Sequence, residues 1–189
     1  MDRHCTKNQG RRFSIILPDS LKTIGQYAFS ENDLYGIKMP QTLESIGEGA
    51  FSSTTLTEIT IPNGITKLPY RCFEYTDLET ILLPHSLKVI CERAFVTYSS
   101  IVLDIPEGVE EIETDALEGI KNVHFPSTLI KLDDAFYYEV NIEDGKDNKP
   151  YITVHPDNPV FYSKDGRIYE KGHIIQYIPY REDKYKNEK

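Results

Sequence analysis

The sequence predicts a β-rich repeat solenoid of about six 22-residue coils, followed at its C-terminal end by a β-meander. Three observations carry that prediction. First, Pro18, Pro40, Pro62, Pro84, Pro106 and Pro126 follow one another at intervals of 22, 22, 22, 22 and 20 residues, and a fixed period of that length marks a stacked repeat. Second, the residues just before each proline alternate. Three positions ahead stand Ile15, Ile37, Ile59, Ile81, Leu103 and Val123, and one ahead stand Leu17, Met39, Ile61, Leu83, Ile105 and Phe125; apolar residues at period two make a strand. Third, ten and eleven positions after the proline come Ala28-Phe29, Ala50-Phe51, Cys72-Phe73, Ala94-Phe95 and Ala116-Leu117, with Ala135-Phe136 arriving one position early in the sixth copy.

Each element has its reason. Residues 1–12 form a basic N-terminal segment, with Arg3, Lys7, Arg11 and Arg12. Arg11 and Arg12 stand where a preceding coil would place a leucine, so no N-terminal cap is evident and an unpaired strand edge there invites self-association. Residues 13–142 are the solenoid. Each strand stacks on the same strand of the next coil at about 4.8 Å, and proline ends it because it has no amide donor and a fixed φ. After the proline, Leu21, Leu43, Ile65, Leu87, Val109 and Leu129, then Ile24, Ile46, Leu68, Ile90, Ile112 and Leu132, return apolar side chains to the interior. The Ala-Phe pair then falls in a short helical or turn segment, where the small residue permits close approach and the ring fills the wide end of the coil. Residues 143–151 are a polar loop. Residues 152–180 read as a meander of Ile152 to Val154, Val160 to Ser163, Arg167 to Tyr169 and Ile174 to Ile178, with turns at Asp165-Gly166 and Lys171-Gly172, suited to cover the last coil. Residues 181–189 form a charged tail.

The repeated stretches IKMPQTLESIGEGAF (37–51) and LTEITIPNGITKLPYRCF (56–73) resemble the BspA-like, or Treponema-type, leucine-rich repeats, and ITVHPDNPVFYSKDGRIYEKGHIIQYIP (152–179) resembles the segment such proteins place beside their repeats. The resemblance implies a right-handed leucine-rich repeat coil with short turns of helix. It also implies a non-catalytic adhesin or interaction protein at a cell surface or secreted.

Composition narrows the function further. A formal net charge of −9 and a pI near 5.1 give no electrostatic footprint for nucleic acid or an anionic membrane. No run approaches the roughly 20 apolar residues of a spanning helix, and the opening residues resemble neither a secretory signal nor an anchor, which makes an intracellular scaffold the alternative to a surface protein. Cys5, Cys72 and Cys91 are too few and too odd for a disulfide framework; Cys72 in the alanine column and Cys91 in the column of Gly25 and Gly47 read as structural thiols. His4, His85, His124, His155 and His173 lack the spacing of metal ligands, and Asp144-Gly145 and Asp165-Gly166 lack that of a calcium loop, so no cofactor or metal is expected. Glu107, Glu110, Glu111, Glu113, Asp115 and Glu118 follow one another without a basic residue and read as a solvated face.

The chain is therefore expected to bind a protein partner through the outward residues of the strands. Two before each proline these are Ile16, Lys38, Thr60, Leu82, Asp104 and His124; four before, Ser14, Gly36, Glu58, Thr80, Val102 and Asn122. The candidate binding face is Lys38, Glu58, Thr60, Thr80, Leu82, Val102, Asp104, Asn122 and His124, with Leu82 and Val102 as its apolar contacts. Aromatic residues are scarce on it, which argues against a sugar- or base-stacking platform. Tyr70, Tyr75, Tyr98, Tyr137 and Tyr138 gather instead near the Ala-Phe turns, an alternative contact edge.

Overall fold

In the computed structural model, which describes residues 12–97, 101–120, 122–135, 151–164, 166–172 and 176–177, each proline closes a strand and a β-turn follows it. The turn is the same in five coils: the amides of Leu21, Leu43, Ile65, Leu87 and Val109 donate to the carbonyls of Pro18, Pro40, Pro62, Pro84 and Pro106 at 2.9–3.3 Å. Every coil thus contributes one strand before the proline and a second, two-residue strand after it. In chain order these are β1 (Phe13–Ile16), β2 (Thr23–Ile24), β3 (Leu34–Lys38), β4 (Ser45–Ile46), β5 (Glu58–Thr60), β6 (Lys67–Leu68), β7 (Thr80–Leu82), β8 (Val89–Ile90), β9 (Val102–Asp104), β10 (Glu111–Ile112), β11 (Asn122–Phe125) and β12 (Lys131–Leu132). β13 (Tyr151–Val154), β14 (Phe161–Lys164), β15 (Arg167–Glu170) and β16 (Gln176–Tyr177) complete the chain.

The odd-numbered strands stack in parallel at the repeat's own register. Ile15 faces Ile37, Ile59 faces Ile81, and Leu103 faces Val123. Hydrogen bonding runs in three sections, β1-β3, β5-β7 and β9-β11-β13, with β3 and β5 lying side by side between the first two. The Leu-x-x-Ile step makes a second parallel ladder, β2-β4 and β6-β8-β10-β12. Two-residue strands carry no period of their own, so the sequence points to the inward Ile24 or Leu68 but not to the ladder.

Of the two forms open to the Ala-Phe segment, the structure takes the turn; no helix forms among the described residues. Its backbone groups are satisfied alternately. Ala28 and Ser30 bond within the coil, to Gly25 and Tyr27, while Tyr27, Phe29 and Glu31 donate to Glu48, Ala50 and Ser52 of the next coil at 2.9 Å. That alternation bends the chain into left-handed φ at Tyr27, Arg71, Arg93 and Asp115 (53° to 57°), with Gly49 at 57° completing the column. A side chain there costs about 1–2 kcal/mol, a cost that the coil-to-coil bonds and the core offset. Phe29, Phe51, Phe73 and Phe95 stack in one column, centroids 5.4–5.6 Å apart and planes within 7–9°, each pair contributing about 0.5–1.5 kcal/mol beyond burial. Phe51 and Phe73 are wholly enclosed, as are Leu43, Ile65, Leu87, Val109 and Leu129.

The tail departs from the expected meander in one respect. β13 does not open an antiparallel sheet; it is the seventh rung of the main ladder, parallel to β11 with Asn122 facing Tyr151 and His124 facing Thr153. The antiparallel part is β14-β15-β16. Asn158 fastens it to the last coil. Its amide nitrogen donates to the carbonyls of Pro126 and Leu129, both 2.9 Å away, and its side-chain oxygen accepts from the amides of Val160 (2.9 Å) and Phe161 (2.7 Å). The expectations for residues 1–11, Phe136, the loop to Pro150, Asp165, Ile174, Ile175, Ile178 and the charged tail lie outside the described residues.

Candidate interaction face

Alternation along a strand sends one side chain inward and the next outward, so the buried Ile59, Leu103 and Val123 fix which residues face solvent. Lys38, Glu58, Thr60, Thr80, Leu82, Val102, Asp104 and His124 are all exposed, and Asn122 is half-buried. Register brings them into rows: Glu58 beside Thr80, Thr60 beside Leu82, Val102 beside Asn122, and Asp104 beside His124. Leu82 and Val102 keep 59% and 54% of their surface, a large fraction for side chains that the core would otherwise accept.

Two residues join this face that the period alone does not reach. Tyr151, 60% exposed, follows Val102 and Asn122 along one row, and Thr153 follows Asp104 and His124 along the other. His124 Nδ1 shares a hydrogen bond with Thr153 Oγ1, and its Nε2 lies 3.8 Å from an Asp104 carboxylate oxygen, so three successive rungs form one polar row. The available signal was Tyr151-Ile152-Thr153-Val154, the same alternation ending near a proline, displaced by the long insertion after the sixth coil.

The acidic run is not a bare solvated face, because stacking supplies partners that the linear sequence separates. Lys88 Nζ reaches Glu110 at 2.8 Å, Lys131 pairs with Glu111, and one Arg93 nitrogen lies 3.4 Å from Glu118 and 4.0 Å from Asp115. Glu113 accepts from the Glu92 amide at 2.9 Å. Glu107 accepts from both the amide and the hydroxyl of Ser127, each 2.9 Å away; the amide bond first, with the hydroxyl behind it, holds the Glu107 carboxyl below its ordinary pKa. Arg93 also bonds the buried Glu74 at 2.8 Å through Nε, with Arg71 Nε 3.5 Å from the other oxygen. This network crosses three coils, Arg93 standing 19 to 25 residues from Glu74, Asp115 and Glu118.

Cys72 and Cys91 are free and buried. Burial pushes the Cys72 thiol well above its ordinary value and, with Glu113 nearby, lifts Cys91 to about 11. Both are therefore protonated, unreactive thiols at neutral pH. Among the described residues no three His, Cys, Asp or Glu side chains converge as a metal site. Of the tyrosines near the turns, Tyr75 is exposed and Tyr70 is half-buried beneath the Arg71 guanidinium, 4.8 Å from the ring centre. Tyr98, Tyr137, Tyr138, His4, His173 and Cys5 lie outside the described residues.

The family to which the repeats match agrees with this leucine-rich repeat coil. A family profile described as BspA type leucine rich repeat region matches residues 3–119 and 102–154, in six copies. The chain is similar to a solved leucine-rich repeat protein from Eubacterium ventriosum ATCC 27560, with 15% identity over 84% of this chain and 36% of that one and a TM-score of 0.44. It is also similar to one from Bacteroides ovatus ATCC 8483, with 22% identity over 64% of this chain and 45% of that one and a TM-score of 0.31. The chain thus spans less than half the length of either structure. No curated protein matches.

Proposed function

Because this chain belongs to the BspA-type leucine-rich repeat family, we propose that it works as a non-catalytic binding module whose outward sheet face holds a protein partner. The observation that carries this reading is the seven-rung face itself, where Leu82, Val102 and Tyr151 stand in solvent among Lys38, Glu58, Asp104 and His124. Apolar side chains left exposed on a regular, rigid surface and rimmed by polar groups are the composition of a contact site. Rigid rungs also lower the ordering cost of binding. An adhesive role at a cell surface, which the family resemblance implies, would use this same face.

The test is a triple variant, Leu82→Asp, Val102→Asp and Tyr151→Asp, set against Ile130→Asp, which alters an equally exposed apolar residue outside this face. With immobilised chain and proteins from candidate surface or secreted fractions, the triple variant should lose specific capture and Ile130→Asp should keep it. Both should melt within a few degrees of the parent, since none of the four side chains is buried. Capture that survives the triple variant overturns the reading.

A further inference from the structure

The sheet face is interrupted near its middle. β3 and β5 lie side by side although they are not bonded, but β7 and β9 neither bond nor pack in that way, while on the opposite ladder β8 and β10 pair without a break. The amides of Leu17, Ile61 and Ile105 donate to the carbonyls of Lys38, Leu82 and His124, and the Leu83 amide has no such partner among the described residues. Ile81 and Leu83 are half-buried where Ile59, Ile61, Leu103 and Ile105 are buried. On the two banks of this seam stand the exposed Leu82 and Val102. Charge on the face also differs from charge elsewhere. At the second ladder, stacking sets a cation against a carboxylate of the neighbouring coil: Lys22 lies 2.7 Å from Glu44, Lys88 lies 2.8 Å from Glu110, and Lys131 pairs with Glu111. On the sheet face Glu58 stands beside Thr80, and Asp104, with 83% of its side chain in solvent, stands beside His124. Neither carboxylate has a lysine or arginine partner among the described residues.

We infer that the partner of this face is a basic, extended protein segment, its aliphatic stems seated in the seam between Leu82 and Val102 and its cationic heads at Asp104 and Glu58. The inference rests on the reading of this face as a binding surface and adds the chemistry of what it binds. Lysine and arginine each join an apolar stem to a charged head, the combination that apolar banks beside unpaired carboxylates accept. An extended backbone also brings the carbonyl that the Leu83 amide lacks, as strand addition does at an open sheet edge. A net charge of −9 draws such a segment in from a distance.

The probe is a short peptide in which arginine alternates with valine, set beside one with glutamate in place of arginine, and binding to the full chain is followed by fluorescence anisotropy at low salt. The arginine peptide should bind with a Kd of about 10–100 micromolar, and the glutamate peptide should not bind. Glu58→Gln combined with Asp104→Asn should weaken binding about 5-fold, the loss expected of two exposed ion pairs. Asp19→Asn combined with Glu92→Gln removes the same charge from exposed positions off this face and should leave binding unchanged. Hydrogen exchange at the Leu83 amide should slow when the arginine peptide is bound. Equal weakening by the two double variants would reduce the attraction to net charge and overturn the inference, as would unchanged Leu83 exchange in the bound state. If both peptides bind alike and Leu82→Ser with Val102→Ser releases both, the face remains a contact surface and the basic partner is refuted. An arginine peptide that does not bind also refutes it, and the face itself is then judged by the capture test above.

Discussion

Removing the Asn158 side chain should detach the C-terminal sheet from the solenoid. The side chain is fully buried and makes four bonds of 2.7–2.9 Å, two given and two received. Asn158→Ala strands the amides of Val160 and Phe161 and the carbonyls of Pro126 and Leu129. At about 1 kcal/mol for each bond the loss is about 4 kcal/mol, and more where water cannot reach the orphaned groups. For a chain of this size that corresponds to a melting point lower by about 8–16 °C. Because each coil contacts only its neighbours, the loss should show first at the C-terminal end. Asn158→Asp sharpens the test. It keeps the two accepting bonds but turns an oxygen toward the Pro126 and Leu129 carbonyls, and burial then raises the folded-state pKa above the unfolded value of about 3.9. The folded protein holds that proton more tightly than the unfolded chain does, so the variant is least harmed below about pH 4 and loses stability as pH rises through the folded pKa. Thermal melts from pH 3 to 8 with matched wild-type controls, and hydrogen exchange at the Val160 and Phe161 amides, read both effects. A melting point within about 1 °C of wild type for Asn158→Ala, with unchanged exchange at the two amides, would refute the argument, since so small a shift is under about 0.5 kcal/mol.

Three further outcomes follow from backbone geometry and thiol burial. Gly119 has a φ of +84°, and an added Cβ would sit 1.7 Å from the Thr97 carbonyl oxygen, whereas Gly172, at +87°, has nothing within 4 Å. Gly172→Ala should cost about 1–2 kcal/mol from conformation alone, and Gly119→Ala should exceed about 4 kcal/mol or prevent folding; similar melting points for the two would contradict the predicted close approach. In a Cys5→Ser background, iodoacetamide should label neither Cys72 nor Cys91 in the folded protein at pH 8 and both in urea, as read by mass spectrometry. Since the folded Cys91 thiol is lifted to about 11, its contribution to stability is complete below the unfolded thiol value of about 8.5 and declines as pH rises through 11, a decline that Cys91→Ala should reduce.

The main ladder was legible because proline, strand alternation and the Ala-Phe column all share one period. What escaped within the coils keeps the same spacing but carries no residue pattern of its own. The second sheet consists of pairs such as Thr23-Ile24 and Lys67-Leu68, too short to alternate. The left-handed turn column holds glycine only at Gly49 and tyrosine, arginine and aspartate at Tyr27, Arg71, Arg93 and Asp115, so composition gives little hint of a conformation that favours glycine. Tyr151 and Thr153 reached the candidate face through β13, which an insertion had moved out of register with the earlier prolines. The partners of Glu110 and Glu118 were invisible because Lys88 and Arg93 stand 22 and 25 residues earlier; charge read along a solenoid says little about charge read across it. Glu74 and Asn158 are buried polar residues whose partners come in part from neighbouring coils, Arg93 for Glu74 and the Pro126 and Leu129 carbonyls for Asn158.

The direction of the coil-to-coil hydrogen bonds has an electrical consequence. At the Ala-Phe turns the earlier coil donates to the later one, as Tyr27, Phe29 and Glu31 do to Glu48, Ala50 and Ser52, whereas a parallel ladder such as β2-β4 carries bonds in both directions. Each peptide group has a dipole of about 3.5 D, and in a helix these groups align and sum. Here the turn peptides that bond from coil to coil all point one way along the stacking axis, while those of the parallel ladders alternate. Each added coil therefore lengthens a one-way column of peptide dipoles, as each added turn does in a helix.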